Sequence, residues 1–132
     1  MRKQRGQAAI IGITALAVIG LIIATAVAAM SLSEYKMTDE AAKGNEVFTA
    51  TEAKMNDILI RIKKDPSWPP APMPYTENDP TYLNDVAVAT TIDETDDGLQ
   101  IDTIGTKATV TRQLRAIQYS DTGLVDVFEI EP

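Results

Sequence analysis

The sequence predicts an α+β fold. One long N-terminal helix, membrane-spanning in its first half and amphipathic in its second, packs on a small antiparallel β-sheet. Three observations carry that expectation. Residues 8–32 form an uncharged apolar run. Beyond it, apolar residues recur at spacings of three and four as far as Ile62, just before a proline-rich stretch. The chain then turns to short Val-, Ile- and Thr-rich segments that alternate with polar residues and are separated by Gly- and Asp-containing turns.

The first element follows from length and apolarity. Between Gln7 and Ser33 no side chain is charged, and Ala8–Leu32 is 25 residues long. As a helix rising ~1.5 Å per residue this run reaches roughly 37 Å, enough to cross a hydrocarbon core about 30 Å thick. It has no polar stripe, as suits a helix surrounded by lipid or by other helices. Arg2, Lys3 and Arg5 precede it, and basic flanks stay cytoplasmic, which puts the C-terminus outside. Gly12 and Gly20 leave room for close helix approach, although they do not form a GxxxG pair. Three readings of the segment compete: an uncleaved signal anchor, a secretory signal peptide ending at Ala26-Val27-Ala28, and a short leader cut before a helix that is retained. The apolar run exceeds the 7 to 15 residues typical of a signal-peptide core.

The second element is the stem, residues 33–65. Phe48, Thr51, Met55, Ile58 and Ile62, with Leu59 beside them, make one apolar stripe. Phe48, Met55, Ile58, Leu59 and Ile62 are therefore expected to pack against the head. Lys43, Glu46, Lys54, Asp57, Arg61 and Lys64 are assigned to the rest of the helix surface. Gly44 is a weak point where a bend is allowed, since glycine costs about 1 kcal/mol relative to alanine inside a helix. Asp65-Pro66 ends the helix, and Pro69, Pro70, Pro72 and Pro74 forbid its resumption.

The third element is the head, within residues 66–132. Residues 65–82 read as a loop in which the prolines favour extended geometry and Trp68 closes over a small core. Such a loop is also a candidate ligand for an aromatic groove. Four strands are expected around Val86–Thr90, Leu99–Thr103, Ala108–Tyr119 and Leu124–Ile130, the last with apolar residues on both faces. Turns are expected at Asp97-Gly98, Gly105-Thr106 and Asp121-Thr122-Gly123.

Composition narrows the function. The chain of 132 residues has neither cysteine nor histidine, so thiol chemistry, disulfides and the commonest general base and metal ligand are excluded. After residue 6, nine basic side chains face nineteen acidic ones, a balance of −10. Such a body repels nucleic acid and suits solubility outside a membrane. Asp93, Glu94, Asp96 and Asp97 are candidates for a hard cation, but their spacing is not that of an EF-hand. No nucleophile–base set, nucleotide loop or paired-carboxylate constellation stands out, so no enzyme and no cofactor is expected.

Met1-Arg2-Lys3-Gln4-Arg5-Gly6-Gln7 resembles a type IV prepilin leader. In that family a prepilin peptidase cuts after a glycine that follows basic residues, here between Gly6 and Gln7, and the hydrophobic helix is kept. Glu46-Val47-Phe48-Thr49-Ala50-Thr51-Glu52-Ala53 and then Ile58–Asp65 are similar to the stem of PilX-like minor pilins and K-type pseudopilins. Ile101-Asp102-Thr103-Ile104-Gly105 followed by Ala108–Arg112 is similar to their closing strands, where a glycine turn leads into a Thr/Val/Arg strand. Major pilins of the family usually carry Glu at the fifth residue after the cut. Here that residue is Ile11 and the span has no carboxylate, which resembles the tip-located K-type pseudopilins.

The resemblance implies a pilin-like fold and a structural role as a minor or tip pilin or pseudopilin of a type IV pilus or type II secretion-like filament. Residues 1–6 would be a cytoplasmic leader. Residues 7–32 would be the membrane and filament-core helix, with Ile10, Ile11, Ile13, Leu16, Ile19 and Leu21 as assembly contacts. The implied partners are other pilin subunits, the prepilin peptidase, the inner-membrane assembly machinery and, before assembly, the lipid bilayer. The alternative reading is a single-pass membrane-anchored extracytoplasmic binding module.

Overall fold

The structure, a computed structural model, describes residues 2–70 and 72–130, and for residues 2–9 the backbone alone. It divides between Asp39 and Glu40 into two compact units. Helix α1 (Arg2–Lys64) runs through both. It is followed by β1 (Tyr75–Leu83), β2 (Val86–Thr95), β3 (Gly98–Lys107), β4 (Val110–Tyr119) and β5 (Val125–Ile130). The α+β architecture is as expected, a long N-terminal helix packed on an antiparallel sheet.

The first unit is α1 alone, and every residue from Ile10 to Asp39 is exposed within the chain. One stretch of α1 is long and apolar enough to cross a membrane, and none of its most apolar window is buried in the chain. The helix passes through Gly44 without interruption. It ends where Asp65 takes over. The Asp65 N–H donates to the Arg61 carbonyl at 2.9 Å, while its carboxylate accepts from the Ser67 N–H at 3.0 Å and from the Ser67 hydroxyl. These bonds to Ser67 hold the Asp65 carboxyl below its ordinary pKa. Arg61, Lys63 and Lys64 in the last turn complement the negative end of the helix dipole.

In the second unit the five strands form a meander in the order β1-β2-β3-β4-β5, every neighbouring pair antiparallel. The stem lies on one face. Met55, Ile58 and Ile62 meet Ile92, Ile101, Leu114 and Ala116 in the larger core cluster, with Trp68, Tyr75 and Leu99 packed against its margin. Val47 and Ala50 meet Val86 and Val88 in a smaller one. Trp68 makes an edge-to-face contact with Tyr75 at 5.4 Å, so the proline-rich stretch closes one end of the core.

Three sequence expectations are corrected here. The loop assigned to residues 65–82 gives way to strand from Tyr75 onward, making five strands instead of four. β1 joins β2 through Asn84 and Asp85, both at positive φ, as a two-residue primed hairpin turn requires. Gly105-Thr106 is not a turn but the interior of β3, paired with Arg112 and Thr111. The turn falls at Ala108-Thr109, with Ala108 at positive φ. Gly105 is needed for a different reason: a Cβ there would meet Thr51 Oγ1 and lie 3.2 Å from Val47 Cγ1. It is a point of close approach between the sheet and α1.

Candidate functional site

Two surfaces carry the functional readings: the apolar half of α1 and the seam between stem and sheet. Along the first, Ile10, Ile11, Ile13, Leu16, Ile19 and Leu21 are between 53% and 71% exposed. The only side-chain hydroxyls interrupting Ile10–Met30 are satisfied internally. Thr14 donates to the Ile10 carbonyl at 3.0 Å and Thr25 to the Leu21 carbonyl at 3.0 Å. Such back-bonding lets a hydroxyl sit in lipid or against another helix without losing a partner. Nothing lies within 4 Å of a Cβ built on Gly12 or Gly20. The leader and topology residues Arg2, Lys3, Arg5, Gly6 and Gln7 have side chains outside the described residues, where the backbone is helical.

The seam brings together three of the five expected packing residues, Met55, Ile58 and Ile62, all buried. Leu59 packs against the core but is only partly buried. Phe48 is corrected: it is 36% exposed and lies on the flank. The helix turns 100° per residue, so the stripe that faces the sheet is centred on Val47, Thr51, Met55, Ile58 and Ile62, and Phe48 falls to one side of it.

Lys54 is the larger correction. Placed among solvent-facing charges on sequence grounds, it is 1% exposed. Its ammonium donates to Glu77 Oε1 and Asp79 Oδ2, each at 2.5 Å, and lies 5.2 Å from the centre of the Tyr82 ring. All three partners sit on β1. Arg61 extends the network, 3.4 Å from Glu77 Oε2 and 3.0 Å from Asp57 Oδ2, with its guanidinium over Trp68 at 5.7 Å. Burial pulls the Lys54 pKa down, but the hydrogen bonds to Asp79 and Glu77 and their charges together outweigh it, and the net shift is upward. The seam is thus apolar over the middle strands and ionic over β1.

The seam's other polar features fix register. Lys107 donates to Glu46 Oε2 at 2.5 Å and to the Asn84 carbonyl at 2.7 Å, joining two hairpin ends to the helix. On the opposite face Arg115 grips Asp102 through two bonds of 2.6 and 3.0 Å. Among the described residues no group of three or more acidic side chains is arranged to hold a metal ion, the cluster at Asp93–Asp97 included.

The residues that sequence reasoning missed, Val47, Ala50 and Lys54, were detectable by periodicity. Steps of three and four from Val47 reach Ala50, Thr51, Lys54, Ile58 and Ile62. What hid Lys54 was the convention that a charge faces water. Comparison with known protein families, with curated proteins and with solved structures finds no match to this chain.

Proposed function

We propose that this chain is a structural subunit, a minor or tip pilin or pseudopilin, of a type IV pilus or type II secretion-like filament. One observation carries the reading. A single helix bears an apolar stretch that its own chain leaves uncovered, and continues into a stem seated on a small sheet. In this reading the bilayer covers Ile10–Leu32 before assembly and the helices of other pilin subunits cover it afterwards. The prepilin peptidase cuts between Gly6 and Gln7, and the inner-membrane assembly machinery draws the subunit from the membrane. The basic residues Arg2, Lys3 and Arg5 keep the leader cytoplasmic and the head outside. The chain acts by packing, not by catalysis.

The experiment is the intact mass and N-terminal sequence of the protein isolated from native membranes. A start at Gln7 is the expected result. A start at Met1 or near Ala29 overturns prepilin processing. The second reading is a membrane-anchored extracytoplasmic binding module whose head recruits a partner through its proline-rich stretch or its acidic face. Mechanically sheared surface fibres separate the two: a filament subunit is found in them, and an anchored module stays wholly with the membranes.

A further inference from the structure

The sheet is wider than the helix that covers it. Five strands spaced ~4.8 Å apart place the two edge strands about 19 Å from one another, whereas a helix with its side chains is only about 10–12 Å across. α1 buries the inner faces of β2, β3 and β4. On the β1 side the remaining strip is closed by Lys54 with Glu77 and Asp79. On the β5 side, among the described residues, it is closed by nothing. Val125 and Val127 stand opposite Gln118 and Ala116, on the helix face of the sheet, yet they are 39% and 51% exposed.

Between them and the stem runs an open trough of about 630 Å³, lined by Asn56, Leu59, Ile60, Lys63, Gln118 and Val125 among others. Phe48 lies three helical turns before Leu59 and extends the same flank. Lys63 is the one charged group in the lining. Gln118 lines one wall, and among the described residues its buried Oε1 has no hydrogen-bond partner, so an unused acceptor stands beside the apolar walls.

The same chain carries a segment with the complementary character. From Met30 to Glu40, α1 is exposed on every side, with Met30, Leu32, Tyr35 and Met37 standing open and Tyr35 the most exposed of them at 73%. This stretch has one lysine and three carboxylates, a net negative charge opposite Lys63. Tyr35 brings an apolar ring with a hydroxyl donor at its end, the combination that a half-apolar trough with an orphaned acceptor can use. We propose that the trough between the stem and β5 receives the Met30–Glu40 segment of a second copy of this chain. The inference rests on the filament reading and narrows it: the subunit follows another copy of itself instead of standing singly at a tip.

The chain has no cysteine, so engineered cysteines give an unambiguous test. Cells co-express full-length Tyr35→Cys and Val125→Cys copies, and membranes and sheared fibres are oxidised and read for disulfide-linked dimers. Dimers are expected only when both variants are present. They are expected to be absent when Phe128→Cys, on the opposite face of β5, replaces Val125→Cys. Fibres that contain the protein but give no 35–125 dimer, or give it equally at 128, overturn the trough pairing and leave the filament reading intact. If the protein never enters fibres the filament reading fails, and the membrane sample then decides the pairing alone by the same contrast between 125 and 128.

Discussion

Replacing Lys54 by methionine tests the ionic half of the seam directly. Methionine follows the path of the lysine stem, so the substitution removes charge without opening a large cavity. Left behind are Glu77 and Asp79, which both approached the ammonium at 2.5 Å. Removing one partner of a fully buried ion pair costs about 3–5 kcal/mol. Here the loss is smaller, because the carboxylates are 21% and 40% exposed and can recover water, and because Arg61 still faces Glu77. The cation–π contact with Tyr82 adds about 0.5–1 kcal/mol to what is lost. The expected destabilisation is about 2 kcal/mol, or about 30-fold in the unfolding constant. Lys54→Ala removes the stem as well and should cost about 4 kcal/mol. The assay is denaturant unfolding of the full-length protein in detergent, followed by the fluorescence of Trp68. As the only tryptophan, packed at the margin of the larger core, it reports the head specifically. Arg112→Ala, which breaks the exposed pair with Glu129, is the reference and should change stability by under about 1 kcal/mol. If Lys54→Met matches the parent protein, the ion pairs contribute nothing that a buried methionine does not, and the account of β1 as ionically latched to the stem is wrong.

Other outcomes follow from the same seam. Gly105→Ala forces a methyl into Thr51 and against Val47 and should cost about 1–3 kcal/mol by overpacking, read by the same unfolding curve. Gly12→Ala, with open space around it, should leave that curve unchanged. Ile58→Ala should cost about 2–5 kcal/mol, whereas Phe48→Ala on the exposed flank should cost clearly less; equal losses would mean that the stripe is centred elsewhere. Head stability should also fall in alkali. The stability contributed by the raised Lys54 pKa is complete below the unfolded value near 10.4 and is lost as pH rises through the folded one. The Tyr119 phenol, raised first by the charge of Asp126 and then by burial, acts in the same direction from about pH 10. Unfolding midpoints measured from pH 8 upward should therefore decline less steeply in a Lys54→Met, Tyr119→Phe double variant.

What the sequence disclosed and what it hid divide along one physical line. Features set by neighbours along the chain were legible. Proline ended α1 at Lys64, a stripe of period 3.6 brought Met55, Ile58 and Ile62 to the core, and alternation marked β2 to β5. Features set by a partner far along the chain were not. β1 reads Tyr-Thr-Glu-Asn-Asp-Pro-Thr-Tyr-Leu, a string of turn formers. It is a strand because Glu77 and Asp79 find Lys54 more than twenty residues earlier. Gly105 looked like a turn because glycine usually is one, and only the closeness of Thr51 shows why it sits inside a strand. Ala108 took the turn with no local signal at all. Phe48 was misassigned by about one residue's rotation of the helix, a shift that hydrophobicity alone does not resolve when Val47 stands beside it.

The two halves of α1 are stabilised from different sources, and this separates folding from assembly. The stem is covered by its own sheet, so its contribution is intramolecular and appears in any unfolding measurement on the head. Residues 10–39 are all exposed within the chain, so cover for their apolar side chains has to be supplied by lipid or by another protein. Substitutions at Leu16 or Ile19 should then alter insertion or association while leaving the unfolding of the head unmoved, and substitutions at Ile58 should do the reverse. The trough beside β5 is the exception. It belongs to the head, yet Val125 and Val127 remain 39% and 51% exposed and Gln118 Oε1 has no partner among the described residues, so a second copy seated there would add contacts that the fold leaves unmade.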